Sequence, residues 1–311
     1  MPSPAFALPL LSALALAIAT PTFGQDGGGS LRERIRERLE QRRALQGQTA
    51  PDTNRQAGQL GPGGHEQFLD HQNLRRRYLV HVPPSYDPAQ PTPLVIAFHG
   101  GGGHAEYMAD DAKYGLIGKA DQAGFIVVFP NGYSKMPRGR LATWNAGGCC
   151  GDARDRAVDD VGFSRAMVAS LREQLNIDGQ RIFATGMSNG GMISHRLACD
   201  AADLFRAVAA VAGTEATAPC HPSRPISVLH IHARDDTHVL FNGGAGPDAF
   251  RDPSKVMEFV SVPETIARWR QRNHCPAVPQ RTLDKPGAYC ETYAPCQGGT
   301  RVQLCVTETG G

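Results

Sequence analysis

The run Gly186-Met187-Ser188-Asn189-Gly190-Gly191 lies between an apolar stretch at 181–185 and a helix-like segment at 190–200. This junction restricts the possible folds more than any other feature of the chain. A serine set among small residues where a strand passes into a helix predicts a tight bend that lifts its hydroxyl clear of a sheet. The first amides of the following helix would be aimed at the same spot. With 35 glycines in 311 residues the bare pattern is cheap, and chance is the competing explanation. The flanking strand and helix give it its weight.

The rest of the chain supplies the sheet that such a bend needs. Short apolar runs at 76–82, 93–98, 125–129, 181–185, 207–211, 227–232 and 301–307 are expected strands. Amphipathic stretches at 111–123, 160–175, 190–200 and 263–273 are expected helices. Alternation of this kind predicts an α/β fold with a mainly parallel central sheet covered by helices on both faces. With the serine bend added, the expectation is an α/β-hydrolase occupying residues 65–311, a normal size for one domain, and no internal repeat is visible.

Ahead of that domain, residues 1–24 read as an export signal: an apolar run from Phe6 to Ala19 is followed by Thr22-Phe23-Gly24 before Gln25, although a basic leader is missing. The run is short for a membrane span, so no stable membrane insertion is expected once it is removed. Residues 25–64 read as a linker, first charged with arginine and glutamate and then rich in glycine and proline. A net charge of +2 gives no basic surface for nucleic acid.

Eight cysteines, none paired at the C-x-x-C spacing that zinc favours, suit a secreted, extracellular or periplasmic, disulfide-bonded protein. The expected bridges are Cys199 with Cys220 and two among Cys275, Cys290, Cys296 and Cys305. Cys149 and Cys150 are adjacent, and whether they bridge each other, pair elsewhere or stay reduced is left open. No metal and no cofactor is expected.

Two further segments fit chemistry at Ser188. The expected strand 93–98 runs into His99-Gly100-Gly101-Gly102-Gly103, a glycine loop able to bring a main-chain amide to an oxyanion. Gly101 and Asn189 are the expected oxyanion donors; a plain flexible turn is the competing reading. The strand 227–232 is followed by Ala233-Arg234-Asp235-Asp236, where this fold keeps the acid that orients its histidine. Asp236 is the expected acid, Asp235 its competitor, and a solvated acidic turn the bland alternative.

Five segments taken together resemble secreted polyhydroxybutyrate depolymerase-like esterases, with feruloyl and acetylxylan esterases as close relatives. They are His99–Gly103, the run Thr143-Trp144-Asn145-Ala146-Gly147-Gly148-Cys149-Cys150-Gly151, the pair Asp159-Asp160 before Val161-Gly162-Phe163, the bend at Ser188, and residues 232–244. The resemblance implies a secreted serine carboxylesterase working through an acyl-enzyme on an ester substrate, expected to be polymeric: a polyester, or feruloyl or acetyl esters of plant cell walls. It places the acid four residues after His232, on Asp236. Where relatives carry glycine, proline and tyrosine, this chain has Ala233, Leu240 and Phe241, and the stretch 243–262 is long enough to form a lid or rim. His99, Trp144, Asn145 and Phe241 are candidate substrate contacts; for Trp144, Asn145 and Phe241 a packing role weighs equally.

A serine hydroxyl needs a base to take its proton, and in this fold the order is Ser, Asp, His. Beyond Asp236 stand His238, too near the acid in the same loop, and His274, at a helix end; neither is expected to serve. Members of the resembled family place the base in a Gly-His-(Ser or Thr)-Trp-Pro-Gly run directly after the last strand. Here the sequence ends at Gly310-Gly311 after the expected strand 301–307. The expectation is therefore a domain incomplete at its C-terminus, with histidine next, and as written nearly inactive, since loss of the base costs on the order of a million-fold in turnover. A catalytically dead polymer- or glycan-binding protein and a serine peptidase on the same fold are the alternatives.

Overall fold

The computed structural model describes residues 59–249 and 259–310. The expected export signal, most of the expected linker and the middle of the 243–262 stretch lie outside the described residues.

The strands are β1 (Gly63–His71), β2 (Leu74–Val82), β3 (Thr92–Phe98), β4 (Ile126–Pro130), β5 (Ile177–Met187), β6 (Ala207–Val211), β7 (Ser227–Ala233), β8 (Gln280–Lys285), β9 (Ala288–Tyr293) and β10 (Val302–Thr307). They form one sheet in the order β1-β2-β4-β3-β5-β6-β7-β10-β9-β8. The six central strands from β4 to β10 are parallel, and each side is extended by an antiparallel pair. This is the architecture of the α/β-hydrolase fold, as expected. All seven expected strands form. β1, β8 and β9 are additions, and the sheet begins at Gly63, inside the stretch read as linker.

Successive residues of a strand point to opposite faces, so a strand buried on both sides is apolar throughout. β4 shows this: all of Ile126–Pro130 is buried, with Ile126 and Val128 in one core and Val127 and Phe129 in the other. Over β2, β3 and β4 the second core is closed by α1 (Ala105–Met108), α2 (Asp111–Tyr114) and α3 (Leu116–Ala123). The first core lies under α4 (Gly151–Asp155), α5 (Asp160–Gln174), α6 (Asn189–Asp200) and α7 (Val262–Arg272). Both faces thus carry helices, though unevenly. No described helix covers β5, β6, β7 and β10 on the second face, where Phe183, Ala209 and Leu229 line a groove of about 600 Å³.

The one helix expected at 111–123 divides in two because Gly115 takes φ 61°, ending α2 and starting α3. Asp111 then caps the second piece, its carboxylate accepting the Ile117 amide at 2.7 Å. Asp159 caps α5 by accepting from the Gly162 amide at 2.8 Å, and Ser261 caps α7 by accepting from Glu264 at 3.1 Å. The described cysteines pair as Cys199–Cys220, Cys275–Cys296, Cys290–Cys305 and Cys149–Cys150. The first three agree with the expected grouping, and the fourth resolves the open case as a vicinal bridge. Among the described residues no helix is long and apolar enough to cross a membrane, and no cluster of potential metal ligands occurs.

Candidate active site

Ser188 is the single residue between β5 and α6, with φ 54° and ψ −122°, a backbone region that non-glycine residues rarely occupy. The bend is held from both sides. The Ser188 amide donates to the Val211 carbonyl at 2.7 Å, and its own carbonyl accepts the first helical bond, from Met192, at 3.0 Å. The glycines answer to close approach. A Cβ on Gly186 would come within 2.5 Å of the Gly190 carbonyl carbon, and one on Gly190 would overlap the Phe98 carbonyl oxygen. Both allow α6 to lie directly against the ends of β3 and β5.

The glycine loop after β3 stands beside the serine: a Cβ built on Gly100 would be 3.7 Å from Ser188 Cβ. Within this loop the Gly101 amide makes no hydrogen bond to the described residues, nor does the amide of Asn189, the first residue of α6. Both residues line, with Ser188, a cavity of about 320 Å³ whose other walls include Cys150, Met192, His238, Val239 and Phe259. Ser188 is half-buried there.

His99 explains how the Gly101 amide comes to be free. Its Nε2 accepts from the Gly132 amide at 3.0 Å, so the ring proton is on Nδ1, which donates to the Gly100 carbonyl at 2.7 Å. A trans peptide points its C=O and the next N–H in opposite directions. Pinning the Gly100 carbonyl toward His99 therefore turns the Gly101 amide away from it. Burial, reinforced by the charges of His104 and Arg76 against the Gly100 hydrogen bond, lowers the His99 pKa to about 4, so the ring is neutral when it does this.

Trp144 and Asn145 anchor the 143–151 segment. Trp144 is fully buried, its indole N–H donates to the His99 carbonyl at 2.9 Å, and its ring meets Phe98 edge-on. Asn189 grips its backbone in both directions, Oδ1 accepting from the Trp144 amide at 2.7 Å and Nδ2 donating to the carbonyl at 3.0 Å. Asn145 donates from its side chain to the Val158 carbonyl at 2.9 Å, and from its amide to Asp160 at 2.8 Å. Asp160, itself buried, is paired with buried Arg76 at 2.7 Å. Phe241 packs edge-on against His232. None of His99, Trp144, Asn145 and Phe241 lines the cavity; these four expected substrate contacts are placed instead behind its walls.

Asp236 follows β7 and is almost wholly buried. One carboxylate oxygen accepts from the amides of His238 and Val239, at 2.8 and 2.9 Å, so the acid sits directly behind two residues of the cavity wall. The other lies 3.2 Å from His232 Nε2. Burial alone would raise its pKa, but the hydrogen bonds from His232, Val239 and His238 outweigh it and hold the group below the usual carboxylate value. Asp235 is exposed. His238 is exposed at the cavity rim and His274 lies on the surface away from it.

Three further residues outside the motifs, His195, His230 and Trp269, are all buried and linked to His232. A signal for one of them is present in the sequence: His230 lies two residues before His232 on a buried strand, so the two share one face.

Comparison with known proteins agrees with this geometry. A family model described as Esterase PHB depolymerase matches residues 76–246, more than half of the chain. Feruloyl esterase B of Piromyces equi is 31% identical over 241 residues, covering 76% of this chain and 42% of its own length. The bifunctional acetylxylan esterase/xylanase XynS20E of Neocallimastix patriciarum is 23% identical over 231 residues, covering 72% of this chain and 29% of its own. The chain thus spans less than half the length of these two relatives. Among solved structures, an acetyl xylan esterase from Aspergillus awamori superposes with a TM-score of 0.54 at 15% identity, over 78% of this chain and 92% of that one.

Proposed function

Because the chain belongs to the Esterase PHB depolymerase family, we propose that it is a secreted serine carboxylesterase. Its substrate is a polymeric ester, either a polyester or the feruloyl and acetyl esters of plant cell-wall polysaccharide, and it works through an acyl-enzyme. The observation that carries this reading is Ser188, held at φ 54° in a cavity that it shares with two uncommitted amides, those of Gly101 and Asn189.

In the reaction, Ser188 Oγ attacks the ester carbonyl carbon while a histidine base removes its proton. The carbonyl oxygen, now negative, is held by the Gly101 and Asn189 amides, which are in place before the charge develops and need no reorganisation. Collapse expels the alcohol, protonated by the same histidine, and water repeats the sequence on the acyl-enzyme. Asp236 orients that histidine and stabilises its charged form. The end of β10 runs beside the end of β7, Thr307 pairing with Ala233, so chain leaving β10 emerges next to the Asp236 loop. At about 320 Å³, partly lined by Met192, Val239 and Phe259, the cavity suits one acyl group, with the polymer outside it. Four disulfides among the described residues support export.

The test is Ser188→Ala in the full natural protein, assayed on p-nitrophenyl acetate and on methyl ferulate. Turnover is expected to fall by at least about a thousand-fold on whichever ester the parent cleaves. Unchanged hydrolysis would rule the mechanism out.

A further inference from the structure

We propose that Trp269, His195, His230 and His232 form a one-way hydrogen-bond chain that positions Asp236 and leaves its negative charge uncompensated for the histidine base. The inference rests on the reading of Ser188 and Asp236 as parts of an acyl-transfer site.

The chain runs through three elements. Trp269 on α7 reaches His195 on α6 with 2.9 Å between Nε1 and Nδ1. His195 Nε2 is 3.2 Å from His230 Nδ1 on β7, and His230 Nε2 is 3.1 Å from His232 Nδ1. His232 Nε2 ends the series, 2.8 Å from the Val239 carbonyl and 3.2 Å from Asp236. All four side chains are at most 1% exposed, and the rings stack in sequence at centroid separations of 5.9, 5.5 and 5.2 Å.

The two ends dictate the direction. An indole N–H only donates, and a carbonyl or carboxylate oxygen only accepts. His195 must therefore accept at Nδ1 and carry its proton on Nε2; that proton fixes His230 in the same tautomer, and His230 fixes His232. One proton per ring satisfies every link. A second proton on any of the three rings would set two N–H groups face to face somewhere between Trp269 and Asp236. Reversing the series would do so at Trp269 and would also turn a lone pair toward Asp236.

The surroundings agree. Burial lowers the His195 pKa to about 3, with the positive charge of Arg272 adding to it, and burial pushes His230 well down too. Arg272 stacks over Trp269 and is tied to buried Glu215, which Arg268 also approaches. At the other end the charged groups are Asp236 itself and Arg234, the latter lying over Phe241.

The consequence for the reaction follows from the charge state. A protonated His232 would make an ion pair with Asp236 and cancel the charge that the base's imidazolium needs. A neutral, oriented His232 shares its one Nε2–H between the Val239 carbonyl and Asp236 and cancels nothing. His232 touches the acid and no reacting atom, so it is a positioning residue.

Two measurements test this, and they fail separately. Nitrogen-15 NMR of the imidazole rings in the unsubstituted protein at pH 7 should show His195, His230 and His232 as neutral Nε2–H tautomers. An Nδ1–H form or an imidazolium at any of them overturns the chain, whatever the protein hydrolyses. Kinetics of the full natural protein then test its purpose. His232→Leu removes the donor to Asp236 and should lower kcat about 10- to 100-fold, the range for losing one hydrogen bond to a charged group, with KM within about twofold. His232→Gln keeps a side-chain N–H and should regain most of the loss. An unaltered kcat in His232→Leu, or equal impairment in both variants, overturns the positioning role. Ser188→Ala measured alongside judges the acyl-transfer reading on its own.

Discussion

His99 shows how a residue can shape a candidate site without lining its cavity. Its sequence position, at the head of four glycines, suggests a substrate contact, yet its two ring nitrogens are both committed to the main chain. What it sets is the plane of one peptide. His99→Ala would free the Gly100 carbonyl and let the Gly101 amide rotate out of its proposed oxyanion position. Loss of one such donor costs about 10²- to 10³-fold in kcat. A fall in that range with KM little changed is expected from steady-state kinetics, and the ratio of variant to parent should be constant above about pH 5, since the parent ring is neutral there. The candidate residues Ser188, Asp236, Gly101 and Asn189 were readable because the chemistry proposed for them dictates both their types and the segments that carry them. Trp144, Asn145 and Phe241 were not readable. An aromatic or amide beside a site has the same sequence signature whether it faces ligand or backbone, and only packing decides.

At the scale of elements, the central strands were legible because burial on both faces makes them continuous apolar runs. The edges were not. β8 is exposed at all six positions and carries Gln280, Arg281, Asp284 and Lys285, so pairing with β9 rather than hydrophobic pattern makes it a strand. β1 alternates only between half-buried and exposed. The segment 143–151 has no regular structure until α4, and its position depends on a buried ion pair, Arg76 with Asp160, which also accepts the Asn145 amide. Asp160→Ala would leave Arg76 charged, buried and without that partner, which costs about 3–5 kcal/mol. Replacing both, Arg76→Met with Asp160→Leu, removes the stranded charge and should recover a large part of that stability while leaving the Asn145 amide unpaired. Urea unfolding of the three proteins checks the order: the single variant least stable, the double one above it.

Over the whole molecule, the buried histidines make stability a function of pH with a definite sign. His99, His195 and His230 all have folded-state pKa values below the ordinary 6.5, burial being the first cause in each. In the unfolded chain they bind protons as pH falls through about 6.5, while in the folded protein His99 does so only at about pH 4 and His195 at about pH 3, and His230 stays neutral well below 6.5. Stability is therefore fully present above the unfolded value and is lost as pH drops below it. Between about pH 5.5 and 4.5 the unfolded chain holds close to two more protons than the folded one on His99 and His195 alone, a slope of at least about 2 kcal/mol per pH unit to which His230 adds in the same direction. Asp236, Asp159 and Glu106, held below their usual values, add in the same direction only as pH approaches about 4, whereas buried Asp160, raised by burial, opposes. A domain stable by about 5–15 kcal/mol loses a large part of that stability over two units of such a slope. Stability measured by denaturant unfolding with circular dichroism should thus fall steadily from about pH 6 to about pH 4, with a slope of about two to three protons at pH 5. A slope of one proton or less would mean that the histidine chain opens to water before the fold does.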